Sequence, residues 1–260
     1  DPDAEALHGQ AGRAVGHREI EDLEAIAADL GKTVDVGVRI NLNAGIYPVW
    51  SRFGFNLESG QASAAVRRII QSRGLRMAGV HCHIGTFILD PEAYGRALTK
   101  ISDFVRECES LMGYNVDYID LGGGFPSRSH LKGVYQPPEI AVPGIEEYAK
   151  VIGSKLGWLL TRKPVPKLYI ESGRHLVDEA GYLITSVVAE KLLADGRRGY
   201  VLDAGVNLLY TSSWYKFKVE LDRDTQGVKE PCVLNGPLCM NIDIVDDAIM
   251  LPRLKRSQRL

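Results

Sequence analysis

Apolar residues recur along this chain in two rhythms, and the change from one to the other divides it. From Arg18 to Leu30, the positions Ile20, Leu23, Ile26, Ala27 and Leu30 stand three and four apart, the period that gathers side chains on one helix face. Gly31 is suited to end that helix. Val34 to Asn41 follows as a β-branched run fit for a buried strand. The alternation then repeats. A helix is expected over about Ser59 to Ser72, with Ala65, Ile69 and Ile70 inward, and a strand over Met77 to Ile84. Pro91 opens a helix through Met112 with Leu98, Ile101, Phe104, Val105 and Cys108 on its stripe, and Val116 to Ile119 forms the next strand. After a loop rich in Pro and Gly, up to about Pro143, come a helix from Ile145 to about Leu160 and a strand from Lys167 to Ile170.

Four strands separated by helices and nearly continuous in apolar character predict a parallel sheet covered by helices, an α/β fold. Every polar motif up to Arg174 falls at the C-terminal end of one of these strands, the end that carries the active site in (β/α) barrels. Near residue 181 the helical period fades. Tyr182 to Lys191, Arg198 to Asp203, Trp214 to Glu220, Glu230 to Asn235 and Ala248 to Leu251 are short strand-like runs broken by Gly, Pro and Asp, so a second, mostly β domain is expected.

Composition changes this picture little. Hydrophobic residues at 45% and charged ones at 25% of 260 residues suit an ordinary globular protein with a substantial core. A net charge of -2 with both signs interspersed offers no field for nucleic acid or an anionic membrane, so neither is expected as a partner. Arg253, Lys255, Arg256 and Arg259 read as a solvated face. The cysteines Cys82, Cys108, Cys232 and Cys239 form no CxxC pair, which fits a reducing, cytoplasmic setting. No apolar run approaches the roughly 18 residues of a membrane span, and no signal-peptide pattern opens the chain. The beginning at Asp1-Pro2 and the basic close Arg256-Ser257-Gln258-Arg259-Leu260 read as those of a fragment.

Four short stretches carry candidate chemistry, each with an ordinary reading beside it. In Asp120-Leu121-Gly122-Gly123-Gly124-Phe125-Pro126, three glycines after a strand make either a tight turn or an anion nest of backbone amides. His81 and His83, two apart on a strand, share one face. They could bind a metal, stack on a flat ring, or be buried and hydrogen-bonded. The metal reading lacks further ligands nearby, and no metal is expected. Thr86 offers a hydroxyl. Glu171-Ser172-Gly173-Arg174 could hold a surface ion pair, or a phosphate at Gly173 and Arg174 with Glu171 facing a cation. Gly236-Pro237-Leu238-Cys239 is either a plain turn or one that presents a reactive thiol.

Taken together, these motifs, in this order and spacing, resemble the fold-type III pyridoxal-phosphate decarboxylases, the group of ornithine, arginine and diaminopimelate decarboxylases. Arg52-Phe53-Gly54 is a weaker match. The resemblance implies an α/β architecture in which the C-terminal half of a (β/α) barrel (residues 1–180, binding the cofactor) is followed by part of a mostly β domain (residues 181–260). It implies pyridoxal 5′-phosphate as cofactor, a small-molecule amino acid as substrate, and a homodimer with shared active sites. His83 would stack on the pyridine ring, Glu171 would pair with the ring nitrogen, and Thr86, Gly122, Gly123, Gly124, Gly173 and Arg174 would hold the phosphate. Cys239 would reach the partner's site and help return a proton to Cα.

The sequence also departs from that pattern. The Lys-Ala-Asn type motif whose lysine carries the cofactor does not occur, so the first half of the barrel is expected before residue 1 and this chain alone is expected to be inactive. Thr211 and Ser212 stand where diaminopimelate decarboxylases have Arg-Pro, and Met240 stands where an acid usually follows the cysteine, with Asp243 close behind as a second substrate-side residue. Losing a guanidinium removes the bidentate partner of a distal carboxylate. The expected substrate is therefore a non-standard or carrier-tethered amino acid. The alternatives are diaminopimelate, ornithine or arginine itself, a silent regulatory homologue, and a metal-dependent barrel hydrolase.

Overall fold

A computed structural model of the chain describes residues 17–133, 136–213, 215–223 and 226–260. They form two units, each with its own core. The first runs through Ser127 and resumes over Pro143–Leu176, and the second comprises Arg128–Val142 and Val177–Leu260.

The chain leads from α1 (His17–Leu30) into β1 (Val34–Asn41), β2 (Phe55–Asn56), α2 (Gln61–Gln71), β3 (Leu75–Cys82), α3 (Pro91–Met112) and β4 (Tyr118–Asp120). Next come β5 (His130–Leu131), α4 (Pro138–Ala141), α5 (Ile145–Lys155), β6 (Lys167–Tyr169) and α6 (Arg174–Val177). Helix α3 is bounded by local chemistry. Asp90 accepts the Glu92 N–H at its start, Pro91 occupies the first turn, and Gly113 closes it in the left-handed region at φ 74°. In α1 only part of the expected stripe is inward, since Ile20 and Ala27 are buried while Ile26 and Leu30 are exposed.

Strands β2-β1-β3-β4-β6 make one parallel sheet in that order. Register aligns the strand ends: Arg39 pairs with His81, His81 with Asp120, and Asp120 with Tyr169. The polar residues that close these strands therefore emerge side by side. Gly79 lets β3 approach β4, because a Cβ there would sit 2.5 Å from the Tyr118 ring. Val38, Met77, Val80 and Ile119 fill the core beneath. Against α3, Tyr94 stacks on Phe125 at 4.8 Å, and Tyr148 of α5 meets both rings edge-on.

The expected fold class, the C-terminal half of a (β/α) barrel and then a mostly β domain, is corrected by this topology. The parallel sheet fills the N-terminal part of the chain as an open layer. Its outer strands β2 and β6 do not pair with each other, and Leu168, Tyr169 and Ile170 along β6 are half exposed instead of walled in. The C-terminal sheet is mixed. Strands β7 (Val187–Leu192), β8 (Arg198–Leu202), β10 (Glu230–Asn235) and β11 (Ile244–Leu251) lie in the order β11-β10-β8-β7, with β8 and β10 parallel and both outer pairs antiparallel. Strand β9 (Tyr215–Lys216) pairs with β5 instead. Its core is Val187, Tyr200, Leu202, Cys232, Leu234, Val245, Leu251 and Leu254. The strand start expected at Trp214 lies outside the described residues. Among those described, no helix is long and apolar enough to cross a membrane.

Candidate active site

The three glycines after β4 form a turn whose carbonyls are all engaged from elsewhere in the first unit. Gly122 O accepts the Glu171 N–H at 2.9 Å, and Gly124 O accepts the Ile88 N–H at 2.9 Å. Gly123 O accepts the buried Tyr94 hydroxyl at 2.8 Å. Each glycine is required by close approach. A Cβ on Gly122 would lie 2.8 Å from Cys82 O, on Gly123 2.1 Å from Glu171 O, and on Gly124 2.3 Å from Gly85 O. Gly122 and Gly124 also take φ of +63° and +96°.

The amides are less uniform than a nest of three. Gly122 N–H is held by Asp120 Oδ1 at 2.8 Å, and Gly123 N–H donates to His83 Nδ1 at 3.1 Å. Gly124 N–H has no partner among the described residues, and neither does Gly173 N–H, across the strand ends. The anion-binding capacity expected of Gly122, Gly123 and Gly124 thus narrows to Gly124. The other two glycines shape the turn.

The bond from Gly123 requires an unprotonated Nδ1, so neutral His83 carries its proton on Nε2. Burial lowers its pKa from the ordinary 6.5, the Arg39 charge adds to this, and Asp120 opposes it. The Trp50 ring stands 5.4 Å from the imidazole at a tilt of 42°. Between the two histidines Cys82 is fully buried, which pushes its thiol up to about 12 and leaves it inert. His81 is 3% exposed with neither ring nitrogen hydrogen-bonded, and its Nε2 lies 3.8 Å from Glu171 Oε2. The two histidines do not share a donor set: His83 faces the glycine turn, and His81 groups with Asp120 and Glu171.

Glu171 is pinned through its backbone while its side chain is half exposed. Arg174 opens α6 one residue after Gly173, whose φ is +50°. Thr86 is exposed just after the third strand. Of the groups in this arrangement, the sequence alone singled out His83, Thr86, the glycines, Glu171 and Arg174. It missed Tyr94, whose contact with Gly123 has no local signal, and Asp120, which an acid two residues before a turn glycine could have flagged.

In the second unit, Cys239 and Met240 are exposed on the turn that follows β10. Asp243 is buried beneath that turn, its carboxylate accepting the Val206 N–H and the Leu238 N–H, each at 2.7 Å. Ser212 is 1% exposed.

The first unit's strand ends fit pyridoxal phosphate in kind. They offer two open backbone amides with a hydroxyl and a guanidinium for a phosphate, a neutral imidazole for a flat ring, and a carboxylate for a ring N–H. None of the residues closing these strands is a lysine.

Residues 13–178 match the family model described as "Pyridoxal-dependent decarboxylase, pyridoxal binding domain". That places the pyridoxal-binding part in the N-terminal portion of this chain. The chain is 28% identical over 259 residues to diaminopimelate decarboxylase of Bacillus subtilis (strain 168), covering 93% of this chain and 56% of the relative. It is 32% identical over 212 residues to that of Actinosynnema pretiosum subsp. auranticum, covering 79% and 45%. Among solved structures, diaminopimelate decarboxylase from Helicobacter pylori complexed with L-lysine superposes with a TM-score of 0.77 at 26% identity, over 94% of this chain and 59% of that one. The chain thus spans about half the length of such relatives.

Proposed function

Since the chain belongs to the pyridoxal-dependent decarboxylases, we propose that its first unit binds pyridoxal 5′-phosphate at the ends of β3, β4 and β6, and that the intact protein removes the carboxylate from Cα of an amino acid. The observation that carries this reading is the glycine turn, closed on its carbonyl side by three donors and open at the Gly124 amide.

The Gly124 and Gly173 amides, the Thr86 hydroxyl and the Arg174 guanidinium would hold the phosphate. Gly122 and Gly123 serve by keeping the turn narrow. His83 would lie against the ring as a neutral imidazole, and the Glu171 carboxylate would accept the ring N–H. Held there, pyridoxal phosphate would supply an electron sink for the pair left at Cα on decarboxylation, which Glu171 would favour by keeping the ring nitrogen protonated. By the resemblance, Cys239 would return a proton to Cα in the partner subunit's site. Met240 borders the substrate, and Asp243 acts there indirectly by holding the turn that presents both. The resemblance supports a homodimer that shares its sites.

The named relatives favour diaminopimelate as the substrate. A second reading, a non-standard or carrier-tethered amino acid, is favoured by Thr211-Ser212 and Met240, which supply no charge for a distal carboxylate or ammonium. Equilibrium dialysis with pyridoxal 5′-phosphate tests the cofactor site, and retention unchanged on Arg174→Ala and Gly124→Val would refute it. Carbon dioxide release by the intact protein from diaminopimelate, ornithine and arginine separates the substrate readings. Rapid release from the first supports the relatives' substrate, and release only from a non-standard or carrier-tethered amino acid supports the second.

A further inference from the structure

We propose that His81 is a positioning residue, the centre of an Asp120–His81–Glu171 relay that turns the Glu171 carboxylate toward the ring nitrogen of the cofactor. The proposal rests on the pyridoxal-phosphate reading and assigns to it a residue that touches neither cofactor nor substrate.

A buried imidazole with two unpaired nitrogens is an unfinished network, since each unmet polar group in a protein interior costs about 1–3 kcal/mol. The missing partners are already nearby. The parallel register sets His81 beside Asp120, and one polar atom from each of His81, Asp120 and Glu171 lies within 4.8 Å of the others. Glu171 Oε2 is 3.8 Å from His81 Nε2, about 1 Å beyond a hydrogen bond. Which group moves is settled by what is fixed. The Glu171 backbone is tied to Gly122 O, His81 is enclosed, and one Asp120 oxygen is held by Gly122 N–H. Only the half-exposed Glu171 side chain is free to swing.

A carboxylate has two oxygens. With one accepting the ring N–H of the cofactor, the other turns inward onto His81 Nε2–H, while the Asp120 carboxylate in the same cluster adds negative charge beside the imidazole. The charges facing His81 agree with this role. Burial lowers its pKa, Arg39 and His83 lower it further, and Asp120 and Glu171 oppose them, so the ring is a neutral donor at neutral pH.

The test combines ¹⁵N imidazole spectra with cofactor affinity in wild type, Glu171→Gln, His81→Gln and His81→Phe. In cofactor-free protein, Glu171→Gln is expected to move the His81 nitrogen shifts and leave those of His83 in place. Saturation with pyridoxal 5′-phosphate should drive His81 Nε2 further toward a hydrogen-bonded N–H. His81→Gln, which keeps an N–H donor, should retain affinity within about threefold, whereas His81→Phe should weaken it by roughly tenfold or more. In His81→Phe, the absorbance change that reports loss of the bound cofactor's ring proton should also come at lower pH. His81 shifts indifferent to Glu171→Gln, or a His81→Phe protein with wild-type affinity and spectrum, would overturn the relay even where the cofactor binds. A wild-type chain that binds no pyridoxal phosphate overturns the cofactor reading itself and removes the relay's premise.

Discussion

Gly236 and Asp243 lie so close that a Cβ on the glycine would stand 2.2 Å from the Asp243 Oδ1 atom. The carboxylate fills the space that a side chain at Gly236 or Gly205 would occupy, and it receives the N–H groups of Val206 and Leu238. Backbone bonds from Gly236 N to Asp243 O and from Asp243 N to Met240 O close the same turn. Asp243→Ala should cost about 2–4 kcal/mol by leaving two N–H groups without acceptors, and Asp243→Asn, which keeps one carbonyl, should cost less. Urea unfolding monitored by far-UV circular dichroism measures both.

Gly123→Ala places a methyl group 2.1 Å from Glu171 O, where backbone meets backbone and no flexible side chain can yield. The expected result is a loss of stability of about 1–3 kcal/mol or more, together with loss of pyridoxal phosphate in equilibrium dialysis. Gly153→Ala, at a helical position with open space around it, serves as the control and should leave cofactor retention unchanged while raising stability by up to about 1 kcal/mol.

Tyr94→Phe keeps the ring stacked on Phe125 but deletes the hydroxyl bonded to Gly123 O. A buried carbonyl then lacks its donor, at a cost of about 1–3 kcal/mol in the urea midpoint. Cofactor affinity should fall by more than in Tyr148→Phe, whose hydroxyl serves Ile88 O instead of the turn.

The histidines set the acid limit. Burial, above all, lowers the pKa of both His81 and His83 from 6.5. In the window below 6.5 the unfolded chain therefore binds protons that the folded chain resists. Their contribution to stability is complete above 6.5 and is lost as pH falls toward the lower folded values. Protonation at His83 Nδ1 also removes the acceptor of the Gly123 N–H. Urea midpoints should drop between pH 7.5 and 5.5, and the drop should be smaller in His83→Gln.

Strand positions were legible where burial on both sides forces a long β-branched run, as in Val34–Asn41, which forms as expected. Helix α3 was legible for a local reason too, with Pro91 and Gly113 at its ends. The open sheet was not. Lys167–Tyr169 reads as a buried strand from its apolar residues, yet it lies at an edge with Leu168 and Tyr169 half exposed, and nothing within three residues encodes who its neighbour is. The same holds at the site. His83 and Gly123 were each visible, but the bond that fixes the tautomer of one and occupies the amide of the other joins positions 40 residues apart. Asp243 follows Cys239 closely in the sequence, but its burial comes from the return of the chain past Val206, which no local pattern encodes.

The glycine turn draws its three carbonyl donors from the segment after β3, from α3 and from the segment after β6. The carbonyl side of such a turn is held only while those elements stay docked, so it is expected to open early under stress. Cofactor retention then becomes a gauge of how completely the first unit has assembled. In mild urea it should vanish while helical circular dichroism persists, and a substitution far from the strand ends, such as one in the α3 core, should register there first.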